Sequence, residues 1–128
     1  MNHDIKAMTN QDLLERHNEL AKLMGEDSDS GLSDSYNRRY QQRKIILDEL
    51  RSRGALDVLL PNLRHENRWV RYLSAVICWD LAPSEAEATL EELRVLHSAV
   101  GLAAGMSLYT RRSGILDRYP AAKGSSNS

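Results

Sequence analysis

Apolar residues recur at intervals of three and four along most of the chain, the spacing that places them on one face of a helix. The clearest case is residues 56–63, with leucine at positions 56, 59, 60 and 63. Phe is absent and Gly contributes only seven residues, whereas good helix formers such as Leu, Ala, Glu and Arg are abundant, which argues against a β architecture. We therefore predict an all-α chain with helices over residues 10–24, 34–53, 57–63, 68–81, 83–97 and 99–112.

Residues with strong preferences for helix ends mark most of these boundaries. Thr9, followed three positions later by an aspartate, resembles a capping box, and Asn67 can accept bonds from the first turn of the helix at 68. Pro83 suits a first helical turn, because the N–H that it lacks has no helical partner there. Gly54 and Gly114 follow the last turns of two helices, where a left-handed residue is favoured.

The stretch from Gly25 to Gly31 interrupts the apolar pattern with glycine, aspartate and serine, which favour turns. We predict a solvent-exposed loop there. Its acidic residues do not fit a calcium loop of EF-hand type, because a count that puts Gly31 at the sixth position puts Asn37, not a glutamate, at the twelfth.

The helix over residues 34–53 carries both aromatic and basic residues, and the pattern assigns them to opposite faces. Its predicted buried face comprises Tyr36, Tyr40, Ile46, Leu47 and Leu50. Its predicted solvent face comprises Arg38, Arg39, Arg43 and Lys44. In the leucine-rich segment that follows, Pro61 removes a backbone donor, so that helix either begins near Asp57 or is kinked.

A shift of 30 positions aligns two parts of the chain with each other. It pairs leucines at 60 and 90 and at 63 and 93, arginines at 64 and 94, valines at 70 and 100, and Trp79 with Tyr109. Such an offset is typical of stacked helical hairpins, each of which leaves an apolar face that only a neighbour can cover. We therefore expect residues 55–113 to form two successive hairpins in contact.

Residues 59–75, LLPNLRHENRWVRYLSA, resemble a HEAT-type repeat, with a leucine-rich first helix, a short polar turn and a Val-Arg pair opening the second helix. From about Asn10 to Gly114 the chain also resembles a small bacterial family of uncharacterised HEAT-like domains, in which similar Leu-Leu-Pro and Trp-Val-Arg sequences precede a proline-capped helix. The resemblance implies a short right-handed α-solenoid, HEAT- or armadillo-like, of about five to six helices. It implies no activity. Gly101 departs from the pattern, since an arginine is expected after Val100.

Length and composition indicate one compact domain. With 128 residues, 41% of them hydrophobic, the chain can bury a core without disulfides, and its single cysteine, Cys78, cannot form an internal one. We expect residues 1–114 to form the domain and residues 115–128 a mostly disordered tail, since the sequence from Ala121 onward offers nothing to bury. No apolar run reaches the ~20 residues of a membrane span and the first residues lack a signal-peptide pattern, so we expect a cytoplasmic protein without membrane contacts.

The formal net charge of −1 conceals a gradient along the chain. Residues 1–34 hold three basic and eight acidic side chains, whereas residues 35–82 hold nine basic and five acidic ones. HEAT-like folds include DNA glycosylases with basic grooves, and Trp79 and Asp80 with arginines at 38, 39, 43, 64 and 68 fit such a groove. The slightly negative total and the short chain oppose this alternative of a nucleic-acid-binding or glycosylase-like domain.

No group of residues has the spacing of a catalytic, cofactor or metal site. The histidines at 3, 17, 65 and 97 have no second His or Cys within one helical turn, and the chain lacks a phosphate-binding loop and a nucleophile elbow. Gly101 and Gly105 predict close packing of two helices, and Cys78 is expected to be an inert core thiol. We therefore expect no enzymatic activity, no cofactor and no metal.

One stripe of the helix over residues 68–81 carries residue types that concentrate binding energy at interfaces. Its core-facing residues are predicted to be Val70, Leu73, Ile77 and Leu81. Arg68, Tyr72 and Trp79 then share another face, which Tyr109 of the next hairpin extends. In α-solenoids the second helices line the concave surface, so these four residues are the predicted partner-binding site of a non-catalytic protein-interaction domain. Arg71 is expected to tie helices together, and a second copy of the chain is a further predicted partner.

Overall fold

A computed structural model of the chain describes residues 2–114. This range is helical and contains no strand, which confirms the predicted all-α class. Its elements are a 3-10 segment Asn2–Ala7, helices α1 (Asn10–Ser30) and α2 (Ser33–Ser52), a 3-10 segment Leu56–Arg64, and helices α3 (Arg68–Cys78), α4 (Pro83–Arg94) and α5 (Ala99–Ser113). The tail predicted over residues 115–128 lies outside the described residues.

Several helix ends lie at the predicted residues, because capping groups close in sequence determine them. The Thr9 hydroxyl accepts from the Asp12 N–H at 3.0 Å, while the Asp12 carboxylate accepts from the Thr9 N–H at 3.1 Å, which completes the capping box. Asn67 Oδ1 accepts from two backbone N–H groups in the first turn of α3. Gly114 adopts the left-handed conformation after α5, with φ of 70°.

Helix α1 continues to Ser30, so the loop predicted over residues 25–31 is wrong. Tertiary packing explains the difference. Gly25 is buried against Trp69 of α3, and a Cβ on this glycine would lie 2.3 Å from Trp69 Cδ1. Asp27 is also buried, and it forms an ion pair of 3.0 Å with Arg39 of α2. These contacts outweigh the turn preferences of the segment.

The helices form three hairpins of consecutive elements: α1 with α2, the segment Leu56–Arg64 with α3, and α4 with α5. Helix α3 lies centrally and contacts α1, α4 and α5, and α1 also touches α5. The second and third hairpins bury one continuous core, which confirms that residues 55–113 form two hairpins in contact. From these hairpins the core takes Leu59, Leu63, Ala75, Cys78, Ala86, Leu90, Leu93, Ala104 and Leu108.

The segment around Pro61 forms a 3-10 helix rather than an α-helix. Proline has no N–H to donate and crowds the preceding turn, which accounts for the interrupted α-helical ladder. Leu59 and Leu63 are nevertheless buried, as the leucine pattern predicts.

Three of the four residues predicted for the inner face of α3 lie on it, since Ile77 is partly buried and packs against the core. Val70 and Leu73 are buried, but Leu81 is 49% exposed because α3 ends at Cys78. The small, buried residues Ser74, Ala75 and Cys78 complete the inner face. Side chains this small let neighbouring helices approach α3 closely.

Arg43 is buried, so its predicted place on the solvent face of α2 is wrong. Its Nε donates to His17 Nε2 at 3.0 Å, and its Nη2 donates to the Leu73 carbonyl oxygen at 3.1 Å. One guanidinium group therefore joins α2 to both α1 and α3. Burial lowers the pKa of Arg43 to about 10. Tyr40, predicted to face inward, is instead 45% exposed.

The polar network continues from His17 across the interface between the first two hairpins. His17 Nδ1 lies 2.9 Å from Asn18 Oδ1, and Asn18 and Asn62 exchange hydrogen bonds of 3.2 and 2.8 Å. Asn62 also donates to Ser74 Oγ at 3.0 Å. Because His17 accepts from Arg43, its imidazole is neutral. Burial, followed by the charge of Arg43, lowers the pKa of His17 to about 4.

We predict that the free energy of unfolding falls as the pH is lowered from 6.5 to about 4. The unfolded chain protonates His17 near pH 6.5, whereas the folded chain does so only near pH 4, so protons favour the unfolded state in this window. The loss is about 3 kcal/mol, at roughly 1.4 kcal/mol for each unit of pKa difference. Urea unfolding at several pH values measures it.

Two histidine variants separate this effect from general acid destabilisation. His17→Gln keeps an acceptor for Arg43 without a titrating ring, and it should flatten the pH dependence. His97→Gln changes an exposed histidine between α4 and α5 and should leave the dependence as in the wild type. Equal pH dependence of His17→Gln and the wild type would contradict the assignment.

The two glycines of α5 differ in their surroundings, and the predicted close packing holds for Gly101 only. A Cβ on Gly101 would lie 2.0 Å from the Leu96 carbonyl oxygen at the turn between α4 and α5. A Cβ on Gly105 would meet only Arg94 Cβ, at 3.9 Å.

We predict opposite effects for the matched substitutions Gly101→Ala and Gly105→Ala. The first forces backbone apart and should destabilise the fold by about 1–3 kcal/mol. The second fits without strain and should stabilise it by roughly 0.5–1 kcal/mol, since glycine is a poor helix former. Urea midpoints of the two variants measure both effects, and a Gly101→Ala protein as stable as the wild type would be inconsistent with the turn geometry.

Candidate interaction surface

Tyr72 of α3 and Trp79, the residue just after α3, line the same groove, which runs between α3 and α5 and has a volume of about 400 Å³. Val76 lies between them at helical spacing, and Met106 and Arg111 of α5 line the opposite wall. The two aromatic side chains are each partly exposed. We call this feature the α3–α5 groove. It brings together two of the four predicted binding residues.

Tyr72 is held from both sides. Its hydroxyl lies 3.3 Å from Ser107 Oγ of α5, and its ring meets Trp69 edge-on, with 5.6 Å between ring centroids. Trp69 in turn packs on Gly25 of α1. The orientation of Tyr72 in the groove therefore depends on the first and third hairpins as well as on its own helix.

Trp79 follows the end of α3 and carries a cation over its face. The guanidinium carbon of Arg111 lies 5.2 Å from the Trp79 ring centroid, an arrangement typical of a cation–π contact. Arg111 also donates to the Val76 carbonyl oxygen at 3.4 Å and lies 3.7 Å from Asp80. These contacts with Val76 and Asp80 fix the Arg111 side chain at one end of the groove.

Arg68 and Tyr109 do not line the α3–α5 groove. Arg68 is exposed in the first turn of α3. Tyr109 lines a separate depression on α5, together with Val95 and Leu102. Arg71, next to Tyr72, donates to the His65 carbonyl oxygen at 3.0 Å, which ties α3 to the turn that follows the 3-10 segment Leu56–Arg64.

A second apolar surface on α5 has no counterpart among the predicted sites. Leu102, Met106 and Tyr109 are 68%, 62% and 64% exposed, and Val95 after α4 is 69% exposed. These four residues line one depression, which we call the outer face of α5. The spacing of 102, 106 and 109 by four and three residues was the signal available in the sequence. Met106 belongs to both the outer face and the α3–α5 groove.

Three of the five arginines considered for a nucleic-acid groove make contacts within the protein. Arg43 is buried, Arg39 pairs with Asp27, and Arg38 donates to Ser35 Oγ at 3.2 Å. A basic groove needs several guanidinium groups free to reach phosphates along one surface. The burial of Arg43 and the pairing of Arg39 remove two of the five from that role.

Cys78 is fully buried, which confirms its predicted place in the core, and burial raises the pKa of its thiol to about 11. Within residues 2–114, no three His, Cys, Asp or Glu side chains come close enough together to hold a metal ion. Over the same range, no helix combines the length and apolar character that crossing a bilayer requires. Comparison with protein-family models, curated proteins and solved structures gave no match.

Proposed function

We propose that the chain is a non-catalytic, cytoplasmic protein-interaction domain that binds its partner through the α3–α5 groove. We also propose that its hairpins form a short right-handed solenoid of HEAT-like type, as the resemblance of residues 59–75 implies. The contacts support this arrangement, since each hairpin packs against the next one along the chain. The additional contact of α1 with α5 makes the proposed stack a compact one.

The observation that carries the interaction proposal is the pair of partly exposed rings, Tyr72 and Trp79, on one open groove beside Arg111. Trp, Tyr and Arg are the side chains that most often dominate binding energy when a partner removes them from water. Their neighbours already fix all three, so little rotamer freedom is lost on binding. A groove whose aromatic and arginine side chains are already held in place favours binding of a protein partner.

The walls of the groove indicate the chemistry of that partner. Val76 and Met106 offer apolar surface between the rings, which suits an apolar or aromatic side chain. Arg111 places a positive charge at one end, although Asp80 at 3.7 Å partly balances it. We therefore expect a partner segment that places an apolar side chain next to a carboxylate.

We predict that the double change Tyr72→Ala with Trp79→Ala lowers partner recovery at least tenfold, because it removes both rings of the groove. The measurement is affinity capture from the source cell, with each recovered protein quantified against the wild type. A loss of about 2 kcal/mol, usual for interface residues of this type, corresponds to a larger factor than this threshold.

Tyr40→Ala is the matched control, since Tyr40 is an exposed tyrosine of α2 outside the groove. It should leave recovery unchanged, and circular dichroism should show the same helix content in all proteins. Undiminished recovery with the double variant would exclude the α3–α5 groove as the binding site.

A further inference from the structure

A separate cavity, with a volume of about 450 Å³, lies between the 3-10 segment Leu56–Arg64, α3 and α4. We call it the α3–α4 pocket. It shares no lining residue with the α3–α5 groove or with the outer face of α5. Its volume falls within the range of pockets that hold small molecules, roughly 300–1,000 Å³. Partner binding in the groove therefore does not account for it.

Four charged side chains line the α3–α4 pocket. Arg64 and Arg71 come from the 3-10 segment and α3, and Glu85 and Glu92 come from α4. Within residues 2–114, none of the four forms a salt bridge. The other charged residues of α4 are all in ion pairs, namely Glu87, Glu91 and Arg94. Two charges of each sign are thus left without a partner on one concave surface.

Arg71 also has an unmet requirement for hydrogen bonds. Its Nε is buried and has no partner in the described part of the chain, where the side chain makes one hydrogen bond, from Nη1 to the His65 carbonyl oxygen. A buried donor without an acceptor costs free energy, and folded proteins contain few of them. A carboxylate bound in the pocket would give the guanidinium group a further acceptor, and arginine often binds a carboxylate through two parallel hydrogen bonds.

We propose that the α3–α4 pocket binds a small zwitterion with an apolar side chain, either a free amino acid or a short peptide. Arg71, with Arg64 beside the same cavity, binds its carboxylate, and Glu85 or Glu92 binds its ammonium group. The two glutamates are seven residues apart, which is about 10 Å along α4. The pocket therefore offers a carboxylate to ammonium groups at different distances from the arginines.

The balance of charges in the pocket favours a zwitterion over a simple ion. A phosphate ion would meet two glutamates in the same cavity, and a polyamine would meet two arginines, so like charges would oppose either one. A molecule with one charge of each sign can pair with both. Leu60, Leu63 and Ala88 also line the pocket and suit an apolar side chain.

Titration of the full chain, followed by amide resonances, tests the proposal. Leucine and leucyl-leucine are the two zwitterions, and at least one of them should bind saturably and shift the amides of Ala88 and Thr89. The stronger of the two identifies the source as a free amino acid or a peptide. Isocaproate lacks the ammonium group of leucine and isoamylamine lacks its carboxylate, so each should bind at least about tenfold more weakly.

Matched variants test which charges matter. Arg64→Gln and Arg71→Gln should each weaken binding of the zwitterion about tenfold or more, because each removes a guanidinium group from the carboxylate. Arg68→Gln is the control, since Arg68 is an exposed arginine of α3 outside the pocket, and it should leave the affinity unchanged. Arg64 makes no hydrogen bond through its side chain within residues 2–114, so its variant keeps the test valid even if the loss of the Arg71 contact with His65 unfolds the other.

The glutamates are tested by selectivity. The double change Glu85→Gln with Glu92→Gln should remove the preference for leucine over isocaproate. Preference retained at the wild-type level would contradict recognition of the ammonium group.

Three results with the wild-type chain would overturn the proposal. One is no saturable binding of either zwitterion, and another is isocaproate binding as tightly as leucine. The third is inorganic phosphate binding more tightly than both zwitterions, which would identify a plain anion site. The outcome is separate from that of the groove experiment, because the double change Tyr72→Ala with Trp79→Ala alters no residue of the pocket and should leave zwitterion binding intact.

Discussion

A buried guanidinium group sets the conditions under which this chain folds. Arg43 is removed from water without a carboxylate among its hydrogen-bond partners, which are the imidazole of His17 and the carbonyl oxygen of Leu73. A buried charge is costly unless hydrogen bonds replace its hydration. Those bonds come from two different helices, so Arg43 is satisfied only when α1, α2 and α3 are assembled together. The need to satisfy Arg43 therefore favours one packing of the first hairpin against α3 over other arrangements that would bury a similar apolar area.

The neutral side chains next to Arg43 extend the same constraint. Asn18 and Asn62 bond each other from α1 and the 3-10 segment, and Ser74 of α3 completes the set. In a fully connected network each member is oriented by its neighbours, and a shift of one helix leaves several groups unpaired at once. The position of α1 against α3 is therefore defined by direction-dependent bonds as well as by packing.

The geometry of the α3–α5 groove depends on how α1 packs against α3. Helix α1 presents Gly25, which lets the Trp69 ring lie directly on the helix backbone. Trp69 then meets Tyr72 edge-on, and the Tyr72 hydroxyl reaches Ser107 of α5. A residue on the first hairpin thus positions a ring in a groove formed by the second and third. The geometry of the groove therefore depends on residues outside the segment 59–75.

Local chemistry explains which parts of the structure the sequence predicts. The Thr9 capping box, the Asn67 cap, the left-handed Gly114 and the two hairpins of residues 55–113 depend on residues close in sequence or on a repeated pattern. The errors concern residues whose state is decided by distant partners. The composition of residues 25–31 predicts a turn, but the packing of Trp69 against Gly25 keeps the segment helical. The sequence pattern likewise places Arg43 in solvent, but its hydrogen bond to His17 holds it in the interior. Helical spacing alone predicts that Tyr72 and Trp79 lie on the same side. Whether Arg68 and Tyr109 line the same groove depends on how α3 and α5 are positioned against each other, which a sequence pattern does not contain.

The proposed α3–α5 groove and the outer face share helix α5, and this has a physical consequence. Met106 and Thr110 line both surfaces. A partner bound in the groove would draw the flexible Met106 side chain toward Trp79 and so reduce the apolar area that the outer face exposes. A molecule that covered the outer face would hold the same side chain in the opposite direction. It would therefore lower the affinity of the groove for its partner, and by linkage the effect is equal in both directions.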